Sequence, residues 1–198
     1  MNTITPTASP QKRIKKFPQP KLLTYNDYLR LTPADSANYE LQNGKIVYMP
    51  SPIFKHQETQ NLLSTYLTLH VLQHKLGKVV TAPMDTKFNE NNVFQPDILF
   101  VQQNRLSIIN KIIEGAPDLV VEILSPANDA KEMSYKKYIY ETSGVKEYWV
   151  INIEQQTLIQ YLLVDNELHR QKQLTITDTL HAAIIPNFSI ALQAIFAE

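Results

Sequence analysis

Two carboxylates stand in stretches where a carboxylate is expensive. Glu122 lies inside the run Leu119, Val120, Val121, Glu122, Ile123, Leu124, and Asp97 opens the run Ile98, Leu99, Phe100, Val101 after Gln95-Pro96. Continuous apolar runs of this length read as strands covered on both faces. An acid ionised there needs a compensating cation, because burying an unpaired charge is strongly unfavourable. Two strands joined by a short connection are commonly neighbours in a sheet, so the two acids can converge at one strand end. An oxygen-seeking divalent cation such as Mg²⁺ would relieve their repulsion and, left open to water, could polarise a phosphoryl group. A second Pro-Asp pair, Pro117-Asp118, precedes Glu122 by four residues. In an extended strand that spacing is about 13 Å, too far for one shared ion, so Asp118 reads as a strand-entry residue.

Other residues carry weaker signals. Glu40 alternates with Tyr39 and Leu41 in a hairpin strand and reads either as a solvent-facing residue or as an extra acid of the site. His56 and Gln57 open a long helix, where polar residues cap, or line a cleft. His70 and His74 have the i, i+4 spacing of helical metal ligands, but Val71, Leu72 and Gln73 lie between them, without the glutamate of a metalloprotease helix. An exposed helical pair is the better reading. Ser125 lacks a nucleophile-elbow context, and no glycine-rich phosphate loop is present. The tyrosines at 135, 138 and 140 read as packing residues.

The elements that must position these groups follow from local patterns. "TYNDYLRL" predicts a short helix capped at Thr24 and stopped by Pro33. Asn43-Gly44 between alternating segments predicts a hairpin. A long helix begins near His56 and ends near Gly77. Strands are expected at Lys78 to Ala82, Asp85 to Asn89, "QPDILFVQ" and the Glu122 run. "DAKEMSYKKYIYETSG" predicts a helix ending at Gly144, followed by a strand pair turning at Glu154 to Gln156 and a third short strand. The apolar tail "LHAAIIPNFSIALQAIF" returns to the core. The sum is an α/β (α+β) fold, a central mixed sheet flanked by helices with an N-terminal hairpin. Residues 1–20 read as a flexible basic arm, with prolines at 6, 10, 18 and 20 among Lys12, Arg13, Lys15 and Lys16, ahead of a single domain over 21–198.

Composition narrows the function classes. The chain has 198 residues, 43% hydrophobic and 19% charged, with formal net charge zero. Global charge therefore announces neither nucleic acid nor membrane, although a neutral total leaves room for a local basic cleft. Absence of cysteine removes disulfides, thiolate nucleophiles and zinc-cysteine sites. No stretch approaches the ~20 apolar residues of a membrane span, and no signal-peptide core is present, which reads as cytoplasmic.

Asp97 after proline, "VVEILSP", and "KKYIYETSGVKEYW" on the following helix together resemble the Uma-two family, abundant in cyanobacteria and described as "putative restriction endonuclease". That family looks like a branch of the PD-(D/E)XK nuclease superfamily. The resemblance runs from about Leu23 to Phe196 and includes "YELQNGKIV", "APMDTKF" and "QPDILFV". It implies a restriction-endonuclease-like fold and a Mg²⁺ site, with Mn²⁺ a possible substitute, formed by Asp97, Glu122 and the backbone carbonyl of Ile123. The lysine of the superfamily pattern, two residues after the glutamate, is Leu124 here, and the family supplies it from the next helix. Lys136 shares a helical stripe with Met133, Ile139, Tyr140 and Ser143, whereas Lys137 is about 100° away, towards Glu141 and solvent. Lys136 is the expected site lysine, with Lys137 the alternative. Asp97, Glu122 and Lys136 are thus the expected catalytic residues, with Glu40, His56 and Gln57 as auxiliaries. The implied activity is metal-dependent hydrolysis of phosphodiesters in nucleic acid, DNA before RNA. The expected partners are that substrate and a second copy of the chain, with no membrane and no nucleotide cofactor. The rival reading is an inactive nuclease-like module that binds nucleic acid or protein.

Overall fold

The computed structural model describes residues 21–33, 39–124 and 130–196; the basic arm at 1–20 and Ser125 lie outside them. Helix α1 (Tyr25–Leu31) begins at Thr24, whose hydroxyl and Asp27 carboxylate cap each other reciprocally. Strands β1 (Tyr39–Gln42) and β2 (Lys45–Tyr48) form the predicted hairpin. Asn43 and Gly44 turn it with φ of 50° and 67°, the left-handed pair that a two-residue hairpin loop needs. Helix α2 (Phe54–His74) ends in a left-handed Lys75. The chain then runs through β3 (Gly77–Thr81), β4 (Thr86–Asn89), β5 (Asn92–Phe94), β6 (Ile98–Gln102), β7 (Ile113–Glu114) and β8 (Leu119–Leu124). Helix α3 (Ala130–Ser143) precedes β9 (Glu147–Asn152), β10 (Thr157–Val164), β11 (Glu167–Thr175), β12 (Thr179–His181) and β13 (Ser189–Ala191).

These strands make a six-stranded mixed sheet in the order β11-β10-β9-β8-β6-β3 and a five-stranded sheet in the order β2-β1-β5-β4-β7. The small β12–β13 pair is separate. A single central sheet was the expectation; the hairpin instead recruits β5, β4 and β7 into a second sheet. Strand β5, three residues long, carries too short a pattern to announce itself.

The apolar runs that suggested two-sided burial are buried on both sides. One face of β6 and β8 packs Ile98, Phe100, Leu119, Val121 and Ile123 against Leu63, Leu67 and Val71 of α2. The tail completes that layer with Ile185, Phe188, Ile190, Leu192, Ile195 and Phe196. Val120, on the other face of β8, meets Ile139 and Tyr140 of α3, Tyr148 of β9 and Phe94 of the second sheet. The larger sheet is therefore clamped between α2 and α3.

Candidate active site

The register of β6 against β8 decides where the two strand acids meet. These strands run antiparallel with Ile98 opposite Val121. Asp97, one residue before Ile98, is then level with Glu122, one residue after Val121. Cross-strand partners share a face, so both acids emerge together at one sheet end. The Ile123 amide fixes Asp97 by donating to its Oδ2 at 2.7 Å. Gln60 of α2 and the Ala82 amide hold the Asp97 backbone carbonyl, at 2.8 and 3.0 Å.

Helix α3 brings the cation. Lys136, Ile139 and Tyr140 form its buried face, spaced as an inward helical stripe must be. The Lys136 ammonium is 2% exposed and lies 3.0 Å from Glu40 Oε1 and 3.2 Å from Glu122 Oε1. It also stands 5.6 Å from the centroid of the Phe94 ring. The Tyr140 hydroxyl donates a hydrogen bond to the same Glu122 oxygen. Lys137 instead pairs with Glu141 at 3.2 Å and lies over Tyr161, away from the acids.

Glu40 is buried rather than solvent-facing, only 1% exposed. Its Oε1 accepts from the Gln95 amide at 2.8 Å and its Oε2 from Gln42 Nε2 at 2.7 Å. Gln42 also reaches Glu132 on α3 at 3.2 Å, tying the hairpin to the start of that helix. From α2, His56 Nε2 approaches Asp97 Oδ1 to 3.3 Å. Its Nδ1 is buried without a hydrogen-bond partner among the described residues. Gln57 is exposed, lines the same cleft and contacts Gln60 at 3.3 Å. All six expected side chains, Glu40, His56, Gln57, Asp97, Glu122 and Lys136, border one cleft of about 510 Å³.

The electrostatics follow from this crowding. Burial pushes the Glu122 carboxyl up to about 7 against the opposing pull of Lys136, and the Asp97 and Glu40 carboxylates add to the rise. Burial alone would depress the Lys136 ammonium, but Glu122 and Glu40 outweigh it and hold its pKa above the ordinary lysine value. Lys136 therefore keeps its proton at any physiological pH. For His56, burial also works downward, and the hydrogen bond and charge of Asp97 reverse the balance, leaving it raised.

Among the described residues, no three His, Asp or Glu side chains are grouped so that they could hold a metal ion by themselves. The implied donors are fewer: two carboxylates and the Ile123 carbonyl. They are oxygen donors drawn together by the 2.7 Å bond from the Ile123 amide to Asp97. Mg²⁺ keeps several of its waters and is held by one or two carboxylates, so the chemistry of this set fits it. Glu122 Oε1 is engaged by Lys136 and Tyr140.

Several acids and histidines outside the cleft have structural partners. Asp118 is fully buried and holds Arg105 and Lys146, each at 2.8 Å, and accepts from the Gln102 amide. Glu147 accepts from Trp149, Gln160 and the amides of Ala183 and Ile184, fastening the tail to β9. His70 reaches the Pro186 carbonyl at 2.9 Å and packs on Phe188, which explains it without a metal. Sequence reasoning left Gln42, Gln60, Gln95 and the Tyr140 hydroxyl out of the site. Only Tyr140 carried a usable signal, four residues after Lys136 on the same stripe.

The model of the Uma2 family, described as "Putative restriction endonuclease", matches residues 25–193. No curated protein matches the chain. Among solved structures, a "putative nuclease belonging to DUF820" from Anabaena variabilis ATCC 29413 superposes with a TM-score of 0.75 at 20% sequence identity. The alignment covers 88% of this chain and 97% of that one, and at this identity it speaks for the fold. The fold is thus the mixed α+β arrangement of a nuclease-like relative. The family match takes in the hairpin, both acidic strands and the lysine helix, and the chain belongs to the Uma2 family.

Proposed function

We propose that this chain is a metal-dependent endonuclease that hydrolyses phosphodiester bonds in nucleic acid, DNA before RNA. The observation that carries the reading is the convergence of Asp97, Glu122, Glu40 and Lys136, from three strand segments and one helix, at one cleft. Acids buried at this cost, around a lysine that a mere core does not need, mark functional sites more often than scaffolding. Asp97, Glu122 and the Ile123 carbonyl are the proposed ligands of Mg²⁺ or Mn²⁺. Such an ion, when bound, neutralises charge at the scissile phosphate and lowers the pKa of a coordinated water.

The chain's own groups have separable tasks in this reading. Lys136, permanently protonated, acts as a fixed cation and hydrogen-bond donor towards charge developing on the phosphate. Tyr140 and Lys136 pin Glu122 Oε1. Glu40 holds Lys136 from the opposite sheet, and His56 steadies Asp97. No described helix is long and apolar enough to cross a membrane. A homodimer is proposed with this reading and is checked by sedimentation of the full chain.

The test is incubation of pure, folded protein with single- and double-stranded DNA and RNA in Mg²⁺ or Mn²⁺. Cleavage abolished by Glu122→Gln supports the reading, and intact substrates throughout overturn it. One observation favours the binding-module alternative: Asp97 Oδ1 and Glu122 Oε1 already have protein partners. Calorimetry separates the two, because a module that takes no metal shows no heat that Asp97→Ala removes.

A further inference from the structure

One wall of the cleft is almost without charge. The continuous segment from Val47 to Ile53 forms it, together with Ala82 and Pro83. Tyr48 and Ile53 in that wall are 59% and 51% exposed, and the adjoining Phe54 is 77% exposed. Large apolar side chains left in water at the rim of a cleft mark a surface that meets a partner. Tyr48 is held in place for such a role. It pairs across the hairpin with Tyr39, whose ring meets it nearly edge-on with centroids 5.6 Å apart.

Charge in the same cleft argues against one class of substrate. Its ionisable lining is Glu40, Asp97, Glu122 and Glu132 against His56 and Lys136. Both basic groups already lie within 3.3 Å of a carboxylate. Proteins that grip an intact duplex do so by neutralising successive phosphates with lysine and arginine. The lining described here offers no such row, and the chain's net charge is zero. An unpaired strand can instead be held through its bases, since stacking on an aromatic side chain needs no compensating charge. In a duplex, both faces of each internal base are already covered by neighbours. A cleft of about 510 Å³ lies within the usual range for a small-molecule site, roughly 300–1,000 Å³, and so suits a nucleotide-sized group.

Resting on the nuclease reading above, we propose that the substrate is a nucleic acid unpaired at the scissile position, and that Tyr48 is the platform on which one of its bases stacks. The uncharged wall then grips the base while the acidic floor faces the phosphate.

The test uses the full chain, with Ca²⁺ as the ion, and fluorescence anisotropy of one labelled oligonucleotide presented in three forms. These are a single strand, a blunt duplex of the same sequence, and a duplex with a central unpaired bubble. The single strand and the bubble are expected to bind at least about tenfold more tightly than the duplex, a difference of ~1.4 kcal/mol. Tyr48→Ala should weaken single-strand binding by about 5- to 150-fold, the range of one lost stacking contact. Tyr48→Phe, which keeps the ring, should retain the binding. Equal affinity for duplex and single strand overturns the proposal, as does a folded Tyr48→Ala protein that binds like the parent. Absence of binding in every form overturns it as well. Parallel samples with Mn²⁺ keep the two readings apart. A Tyr48-dependent preference for unpaired strands without cleavage removes the nuclease and leaves Tyr48 standing as the platform for an unpaired base. Equal cleavage of duplex and single strand does the reverse.

Discussion

Replacing Lys136 by methionine probes the charge balance of the cleft directly. The ammonium is 2% exposed, 3.0 Å from Glu40 and 3.2 Å from Glu122. At an effective dielectric near 20, each contact supplies about 5 kcal/mol of attraction, offset by several kcal/mol of desolvation for every ion. Methionine keeps the apolar stem but leaves two buried carboxylates without their cation, an expected loss of about 3–5 kcal/mol in unfolding free energy at pH 8. The loss should depend on pH in a definite direction. The Glu122 carboxyl is pushed up from 4.5 to about 7 in the folded parent, so between those values the folded state binds a proton that the unfolded state has released. The stabilisation from that proton is complete below about pH 4.5 and is lost as pH rises through about 7. Without Lys136 the folded carboxyl is pushed higher still, so between about pH 7 and pH 8 the variant keeps a proton that the parent releases. The cost of the substitution is therefore smaller at pH 5 than at pH 8, by up to about 1.4 kcal/mol. Urea denaturation followed by the fluorescence of Trp149, the sole tryptophan, at both pH values gives the numbers. A loss below about 1 kcal/mol at pH 8, the scale of an exposed pair, or an identical loss at both pH values would refute the reasoning.

Three further outcomes are expected. Tyr140→Phe removes the hydroxyl donor to Glu122 while keeping the ring packed against Phe94 and Tyr148. The Glu122 midpoint should then climb further above about 7, read by carbon NMR of its carboxyl, and an unchanged midpoint would deny the bond any electrostatic role. Glu147→Gln sets an amide against the Ala183 and Ile184 amides that now donate to Oε2 at 2.9 and 3.0 Å. It should cost about 1–3 kcal/mol of stability with no effect on metal uptake, measured by thermal unfolding with and without Mn²⁺. Saturating Mn²⁺, at about a hundred times its Kd, should raise the parent's Tm by roughly 5–10 °C, and Asp97→Asn or EDTA should abolish the rise. A Tm gain that survives in Asp97→Asn places the metal elsewhere.

What could be read from the sequence depended on how local its cause was. The Thr24 cap and the Asn43-Gly44 turn are set by a few adjacent residues, and both formed as read. That the strands of Asp97 and Glu122 are neighbours followed from two unmistakable apolar runs separated by a short connection; their antiparallel register came only with the structure. Helical periodicity, together with a family-like position ahead of Tyr140 and Gly144, set Lys136 apart from Lys137. Other features hid because their causes are distant in the chain. Glu40 sits in a four-residue strand, and its burial comes from Gln95 and from α3, 55 and 96 residues away. The second sheet was illegible for the same reason, since it gathers short strands whose individual patterns say little. His56 looked like any polar residue at a helix start, and only the packing of α2 turns it towards Asp97.

The bond between Glu40 and Lys136 has a dynamic consequence. Glu40 belongs to the five-stranded sheet, whereas Lys136 and Glu122 belong to the body built on the six-stranded one. Peeling the β1–β2 hairpin away from that body strands a buried charge on each side. Opening of the hairpin and dismantling of the cleft are therefore a single cooperative event, and the hairpin should behave as one unit with α3 in amide hydrogen exchange. In Lys136→Met the hairpin amides should exchange faster than those of β8 and β9. The lysine proposed for chemistry would then also set how often this corner of the molecule breathes.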